Sequence, residues 1–160
     1  MGFSVLDWKK SEVVFMGVVL AAILGISWFQ LKTSEMKTRD AQRKADVELA
    51  ARALSAYYDD YGVYPSGTED GRIVSCGNRG GEECVWGEGA IVDGDNVTYL
   101  KRIPIDPFDK QGRKYVYEVR PDGKDFRIYA ALEHKGDPAY KSDLTKECGI
   151  NVQCNWYAGH

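Results

Sequence analysis

The chain has 160 residues, 44% of them hydrophobic, enough for one modest core with an appendage and too few for two independent cores. Lysine and arginine total 21 against 24 acidic residues, a formal net charge of -3, so the basic surplus of a nucleic-acid binder is missing and no nucleic-acid partner is expected.

Residues 13–31, VVFMGVVLAAILGISWFQL, run for 19 residues without a charge. At helical rise this matches the ~30 Å hydrocarbon core of a bilayer. A cleaved signal peptide would show a shorter apolar stretch ending in small residues, whereas this one ends in Trp28, Phe29, Gln30 and Leu31 and continues into a helical pattern. A buried core helix is the alternative, but the remaining chain is too small to surround one. The spacing therefore predicts a retained transmembrane segment over 13–31, preceded by a short cytoplasmic N-terminus over 1–12. Lys9 and Lys10 precede the segment, and Lys32, Lys37 and Arg39 follow it, so basic residues alone do not orient it. Trp8 and Trp28 fall near the two interfaces, where indole rings gather.

Between Leu31 and Tyr61 there is no glycine or proline, and alanine, glutamate, lysine and arginine abound, which predicts an amphipathic helix over 32–61. Val47, Ala50, Leu54, Tyr57, Tyr58 and Tyr61 recur at steps of three and four, an apolar stripe able to lie on a sheet. Asp40 with Lys44 and Glu48 with Arg52 stand four apart and read as pairs on a solvated face. Joined to the span, the helix runs from near Glu12 to Tyr61, about 50 residues or ~75 Å. Gly62 tolerates the left-handed turn that closes it, and Pro65 prevents continuation.

The head, 62–160, begins with a segment over 66–96 that is rich in glycine and acids and reads as loop. Pro104 and Pro107 then fix a non-helical path. Tyr115, Tyr117 and Val119 share one face of a strand, and Phe126, Ile128, Ala130 and Leu132 share one face of the next. Between them Pro121, Asp122 and Gly123 supply turn chemistry, so the two strands form an antiparallel hairpin that the helix stripe can cover. Beyond Glu133 the chain is polar and irregular, with Trp156 and Tyr157 available to pack back.

Cys76, Cys84, Cys148 and Cys154 are even in number and lie far from the apolar segment, a pattern of an oxidising compartment. Short separations favour bonds of Cys76 with Cys84 and Cys148 with Cys154. A four-thiolate zinc site is the competing reading, although neither pair has the two-residue gap of a zinc knuckle. Disulfides place the C-terminal head outside the cytoplasm.

The order of these elements, an apolar span fused to a long amphipathic helix, then a loop, an antiparallel sheet and a disulfide-bearing tail, resembles the α+β type IV pilin fold. The segment from Arg39-Asp40-Ala41-Gln42-Arg43-Lys44-Ala45-Asp46 through Ala53-Leu54-Ser55-Ala56-Tyr57-Tyr58 to Tyr61-Gly62-Val63-Tyr64-Pro65 is similar to type II secretion major pseudopilins and related pilins. Pro104-Ile105-Asp106-Pro107, followed by Gly112-Arg113-Lys114-Tyr115-Val116-Tyr117, looks like the turn and first sheet strand of that family. The resemblance covers most of 12–133. It implies a structural subunit whose partners are copies of itself in a helical filament, the inner-membrane assembly machinery and membrane lipid. It implies no certain cofactor, with calcium possible in the tail at Asp137 and Asp143.

In that family a basic leader precedes a glycine cleavage point and an apolar run holding one acid. Gly2 and Phe3 imitate the processing point, yet only Met1 precedes them, and Trp8-Lys9-Lys10-Ser11-Glu12 interrupts the apolar run. Alternatively Glu12 stands in the place of the acid and the chain is an unprocessed signal anchor. Glu12, Gly17 and Gly25 are the candidate assembly residues: the acid to pair with a neighbour's positive group, the glycines to let helices approach. A non-assembling anchored module that binds a ligand or surface through 66–96 is the alternative function. An enzyme is not expected, because no nucleophile with its base and no phosphate loop is present and the histidines are only His134 and His160. The sequon Asn96-Val97-Thr98 marks a surface loop.

Overall fold

A computed structural model describes residues 10–159. Gly2, Phe3, Trp8, Lys9 and His160, and with them the expected processing point and the tryptophan expected at the cytoplasmic interface, lie outside the described residues. The fold is α+β: one long N-terminal helix, α1 (Lys10–Tyr61), and small antiparallel sheets that its second half packs against. The chain divides into two units between Met36 and Lys37, a few residues beyond the expected end of the span.

In the first unit α1 is helical throughout, and every side chain from Glu12 to Lys32 is exposed. This stretch is long and apolar enough to cross a membrane. Val13, Phe15, Leu20, Leu24, Trp28 and Phe29 all project from it unburied.

In the second unit the helix turns a stripe inward. Asp40, Arg43, Val47, Ala50, Ala53 and Leu54 are buried, at the steps of three and four that a 3.6-residue period places on one face. Of the aromatic residues expected on this stripe, Tyr57 and Tyr58 are half-buried and Tyr61 is exposed. Gly62, at φ 68°, ends the helix with its N–H donating to the Tyr58 carbonyl at 2.7 Å.

The main sheet has the order β6-β7-β8, built from β6 (Val116–Val119), β7 (Phe126–Ala130) and β8 (Trp156–Gly159), all antiparallel. β6 and β7 form the expected hairpin, in register Val116 to Tyr129 and Val119 to Phe126. Its turn closes as the chemistry predicts: Gly123 N–H donates to the Arg120 carbonyl at 2.9 Å with Gly123 at φ 66°. Tyr115, Tyr117, Phe126, Ile128, Ala130 and Leu132 are buried with Val47, Ala50 and Leu54 in one core, as alternation requires. The opposite face is covered as well. Val116, Tyr129 and Ala131 pack with Cys148 and Cys154 in a second cluster.

Two expectations are corrected here. The tail is not merely irregular, since Trp156–Gly159 forms the third strand β8, seating Trp156 in the main core. Nor is 66–96 all loop. β1 (Ser66–Gly67), β2 (Ile73–Cys76) and β3 (Glu82–Glu83) make a small sheet, and β4 (Ile91–Val92) pairs with β5 (Thr98–Leu100). Burying Ile73 and Ile91 offsets the ordering of so polar a segment.

Candidate functional site

Two groups of residues stand out, one in each unit. In the first unit, Glu12 lies in the first turn of α1, where the helix dipole favours an acid. A Cβ built on Gly17 or Gly25 would meet nothing within 4 Å, so both glycines open bare backbone. Ala21 stands midway between them. Gly17, Ala21 and Gly25 recur every four residues and form a shallow strip along one helix face. The two glycines are the expected assembly residues, and Ala21 joins them. Lys32 Nζ lies 5.5 Å from the Trp28 ring centre, a cation over an indole one turn apart. This pair marks where the apolar stretch gives way to polar residues.

In the second unit the head is fastened by a buried ionic clasp. Arg43 is fully buried and makes three carboxylate contacts. Its Nε donates to Asp106 Oδ2 at 2.8 Å, and its Nη1 to Asp40 Oδ1 at 2.9 Å and Glu133 Oε1 at 2.7 Å. Arg39 grips the same Glu133 through Nε at 2.8 Å and Nη2 at 2.7 Å. Asp40 accepts the backbone N–H groups of Glu133 and His134, both at 2.8 Å to their nearer oxygen. Asp106 accepts from Phe108 N–H at 2.7 Å, and the Phe108 ring lies beneath the guanidiniums of Arg39, Arg43 and Arg113.

Burial alone would lower the Arg43 pKa, but hydrogen bonds to Asp106 and Glu133 outweigh it and hold the guanidinium above its ordinary value. Burial likewise works to raise Glu133. The Arg39 and Arg43 bonds overcome it and take the carboxyl down to about 2. Arg43 and Glu133 therefore stay ionised at neutral pH, within a cluster whose buried polar side-chain atoms all have partners. Its work is mechanical: it fixes the first turns of the head helix to the Asp106 turn and to the end of the β7 segment.

The reading of Asp40 and Lys44 as a solvated pair is corrected by this geometry. Asp40 is 2% exposed and serves Arg43 and two backbone N–H groups, while Lys44 reaches Asp137 with Nζ 2.7 Å from both oxygens. Glu48 and Arg52 do remain on the exposed face. His134 is half-buried, tied through its backbone to Asp40. The sequence does not mark Arg43, Asp106, Phe108 and Glu133 as partners, yet Asp40 and Arg43 extend the 47-50-54 stripe backwards at the same spacing.

The tail does not fit calcium. The Lys44 ammonium and Ala139 N–H, at 2.9 Å, already engage Asp137, and Asp143 is exposed. Among the described residues no group of three or more His, Cys, Asp or Glu side chains is placed to hold a metal ion. The cysteines are bonded as Cys76–Cys84 and Cys148–Cys154, leaving no thiolate for zinc. Asn96 is exposed at the tip of the β4–β5 connection, at φ 63°.

No protein-family model, curated protein or solved structure matches the chain.

Proposed function

We propose that the chain is a structural subunit of a type IV pilus or type II secretion pseudopilus-like filament, anchored through 13–31 and carrying its head outside the cytoplasm. The observation that carries this reading is the wholly exposed apolar stretch of α1, fused in one helix to a segment clasped into a folded head. So much apolar surface needs a cover, which lipid supplies in the single subunit and copies of the same helix supply in a filament. The strip of Gly17, Ala21 and Gly25 suits close helix approach, and Glu12 offers a carboxylate for a neighbour's cation. Identical heads repeating along a bundle of such helices make a heterologous contact that does not close, hence a fibre. The two disulfides support a head in an oxidising compartment, with the N-terminus on the cytoplasmic side. The assembly machinery of the inner membrane and membrane lipid are the remaining partners. The role proposed is assembly rather than catalysis.

Electron microscopy of sheared surface material from the source cells, with mass spectrometry of its protein, tests the proposal. Filaments containing the chain are expected, and the observed N-terminus decides between cleavage at Gly2 and an intact anchor. Recovery of the chain solely as an intact, detergent-soluble monomer would sink the filament reading. The chain would then be an anchored extracytoplasmic binding module.

A further inference from the structure

The outer face of β6-β7-β8, away from α1, carries a group of cations that the clasp does not use. In the strand register Val116, Tyr129 and Tyr157 lie side by side, with Glu118, Arg127 and Gly159 in the next row. The Arg127 guanidinium lies 4.8 Å from the Tyr157 ring centre, and Lys141 Nζ lies 5.2 Å from that same centre. The two cations thus stand within about 10 Å of one another around one ring. Lys146 approaches the neighbouring Tyr129 ring at 5.9 Å.

The acid paired with Arg127 across the strands acts on its charge but spends its hydrogen bonds elsewhere. Glu118, its partner across the strands, accepts from Lys146 Nζ at 2.6 Å and from the Tyr129 hydroxyl at 2.8 Å. Among the described residues Arg127 and Lys141 form no ion pair with a carboxylate, and both are exposed. Contact with the Tyr157 ring restrains both heads. Less side-chain freedom is then lost when an anion arrives.

We propose that Arg127, Lys141 and Tyr157 form a binding site for a carboxylate-bearing polysaccharide. Arg127 offers a planar fork matched to a carboxylate, Lys141 a second positive point, and Tyr157 the apolar edge against which a sugar ring rests. The surroundings favour sparse carboxylates over dense phosphates. Glu118 borders the patch beside Arg127, the whole chain carries a net charge of -3, and a single half-buried ring is no stacking track for successive bases. The site belongs to the head alone and stands whether or not the chain forms filaments.

The test measures binding of the full chain, in detergent micelles, to immobilised polygalacturonate, with neutral dextran and single-stranded DNA as comparison surfaces. Arg127→Gln with Lys141→Gln is compared with Lys101→Gln and Lys110→Gln, which removes equal charge from exposed positions elsewhere. Loss of two exposed charge contacts should weaken polygalacturonate binding about tenfold in the first variant and leave the second nearly unchanged. Lys141→Glu guards against misfolding, because the segment is held by its backbone N–H to the Asn155 carbonyl and not by the lysine head. It should abolish binding at an unchanged melting temperature. The proposal is overturned if the wild-type chain ignores polygalacturonate or retains dextran equally. Equal weakening in both double variants, or tighter binding of DNA through the same two residues, overturns it too.

Discussion

Arg43 of α1 and Asp106 of the proline-flanked turn meet through two contacts, Nε to Oδ2 at 2.8 Å and Nη2 to Oδ1 at 3.3 Å, with both side chains buried. The pair joins residues 63 positions apart, so it ties the helix to the far part of the head before the hairpin begins. Replacing a buried ion pair by apolar groups is often harmless, whereas removing one partner strands the other's charge. Arg43→Met should therefore destabilise the head by about 3–5 kcal/mol in denaturant titrations followed by tryptophan fluorescence. Adding Asp106→Asn should recover part of the loss, because the amide oxygen still accepts from Phe108 N–H while the stranded charge is gone. Arg43→Lys should fall in between, since a single ammonium cannot reproduce the fork.

How much of this was legible follows from what periodicity can carry. Phe126, Ile128, Ala130 and Leu132 alternate, and alternation fixes a face, so the hairpin and its core side could be read directly. The clasp could not be read that way, because Arg43 occupies an apolar stripe position while its partners Asp106 and Glu133 lie in segments without a period. A charge in such a place reads as solvated unless its distant partners are known. Strands of two residues, such as Ser66–Gly67, have no period at all. β8 was hidden for a related reason: both faces of the sheet are covered, so its neighbours show no polar alternation.

Acid should loosen the clasp in a defined window. The Glu133 carboxyl is lowered from 4.5 to about 2 in the folded head, so it contributes stability that is fully present above about 4.5. That contribution, on the order of 3 kcal/mol, is lost as pH falls from about 4.5 towards 2, where the folded carboxyl also takes up its proton. Glu133→Gln should be less stable at neutral pH and show a flatter stability profile over that window. Denaturant midpoints measured at intervals of pH check both. An unchanged slope would place the acid sensitivity elsewhere, for instance at Asp137, which Lys44 also holds low.

Gly71 tests the junction between the first small sheet and the hairpin. Its carbonyl accepts the Tyr117 N–H at 2.9 Å and the Trp86 indole N–H at 3.3 Å, at φ 85°. A Cβ there would stand 2.5 Å from Val116 Cγ1 and 3.0 Å from its Cα. Gly71→Ala meets both an unfavourable dihedral and backbone with little room to move, so it should cost more than about 1 kcal/mol. Gly81→Ala, where a Cβ meets nothing within 4 Å, is the matched control and should be nearly neutral.

The strip on the apolar helix makes a prediction about assembly separate from insertion. Gly17→Leu with Gly25→Leu adds apolar bulk, so the segment should enter a bilayer as well as before, while close helix approach is blocked. Membrane fractions should hold the usual amount of chain and sheared surface material should hold little. Wild-type filament yield from this variant would remove the strip from the assembly contact.

The two disulfides should differ in what they hold. Both close short loops, with sequence separations of 8 and 6, for which the chain-entropy argument gives similar contributions of about 2–3 kcal/mol. Their surroundings are not alike. Cys76 and Cys84 lie in the main core with Ile73 and Ile91, where many other contacts fix the segment. Cys148 and Cys154 lie in the smaller cluster beneath Val116, Tyr129 and Ala131, and Cys154 stands two residues before β8. Replacing Cys148 and Cys154 by alanine should therefore free the tail from the sheet's outer face, and β8 should exchange its amide hydrogens faster while β2 keeps its protection. The Cys76 and Cys84 pair replaced in the same way should lower global stability without selective loss at β8. Hydrogen exchange read strand by strand separates the two cases, and equal protection of β8 in both variants would mean that Trp156, buried in the main core, anchors the last strand without help from the disulfide.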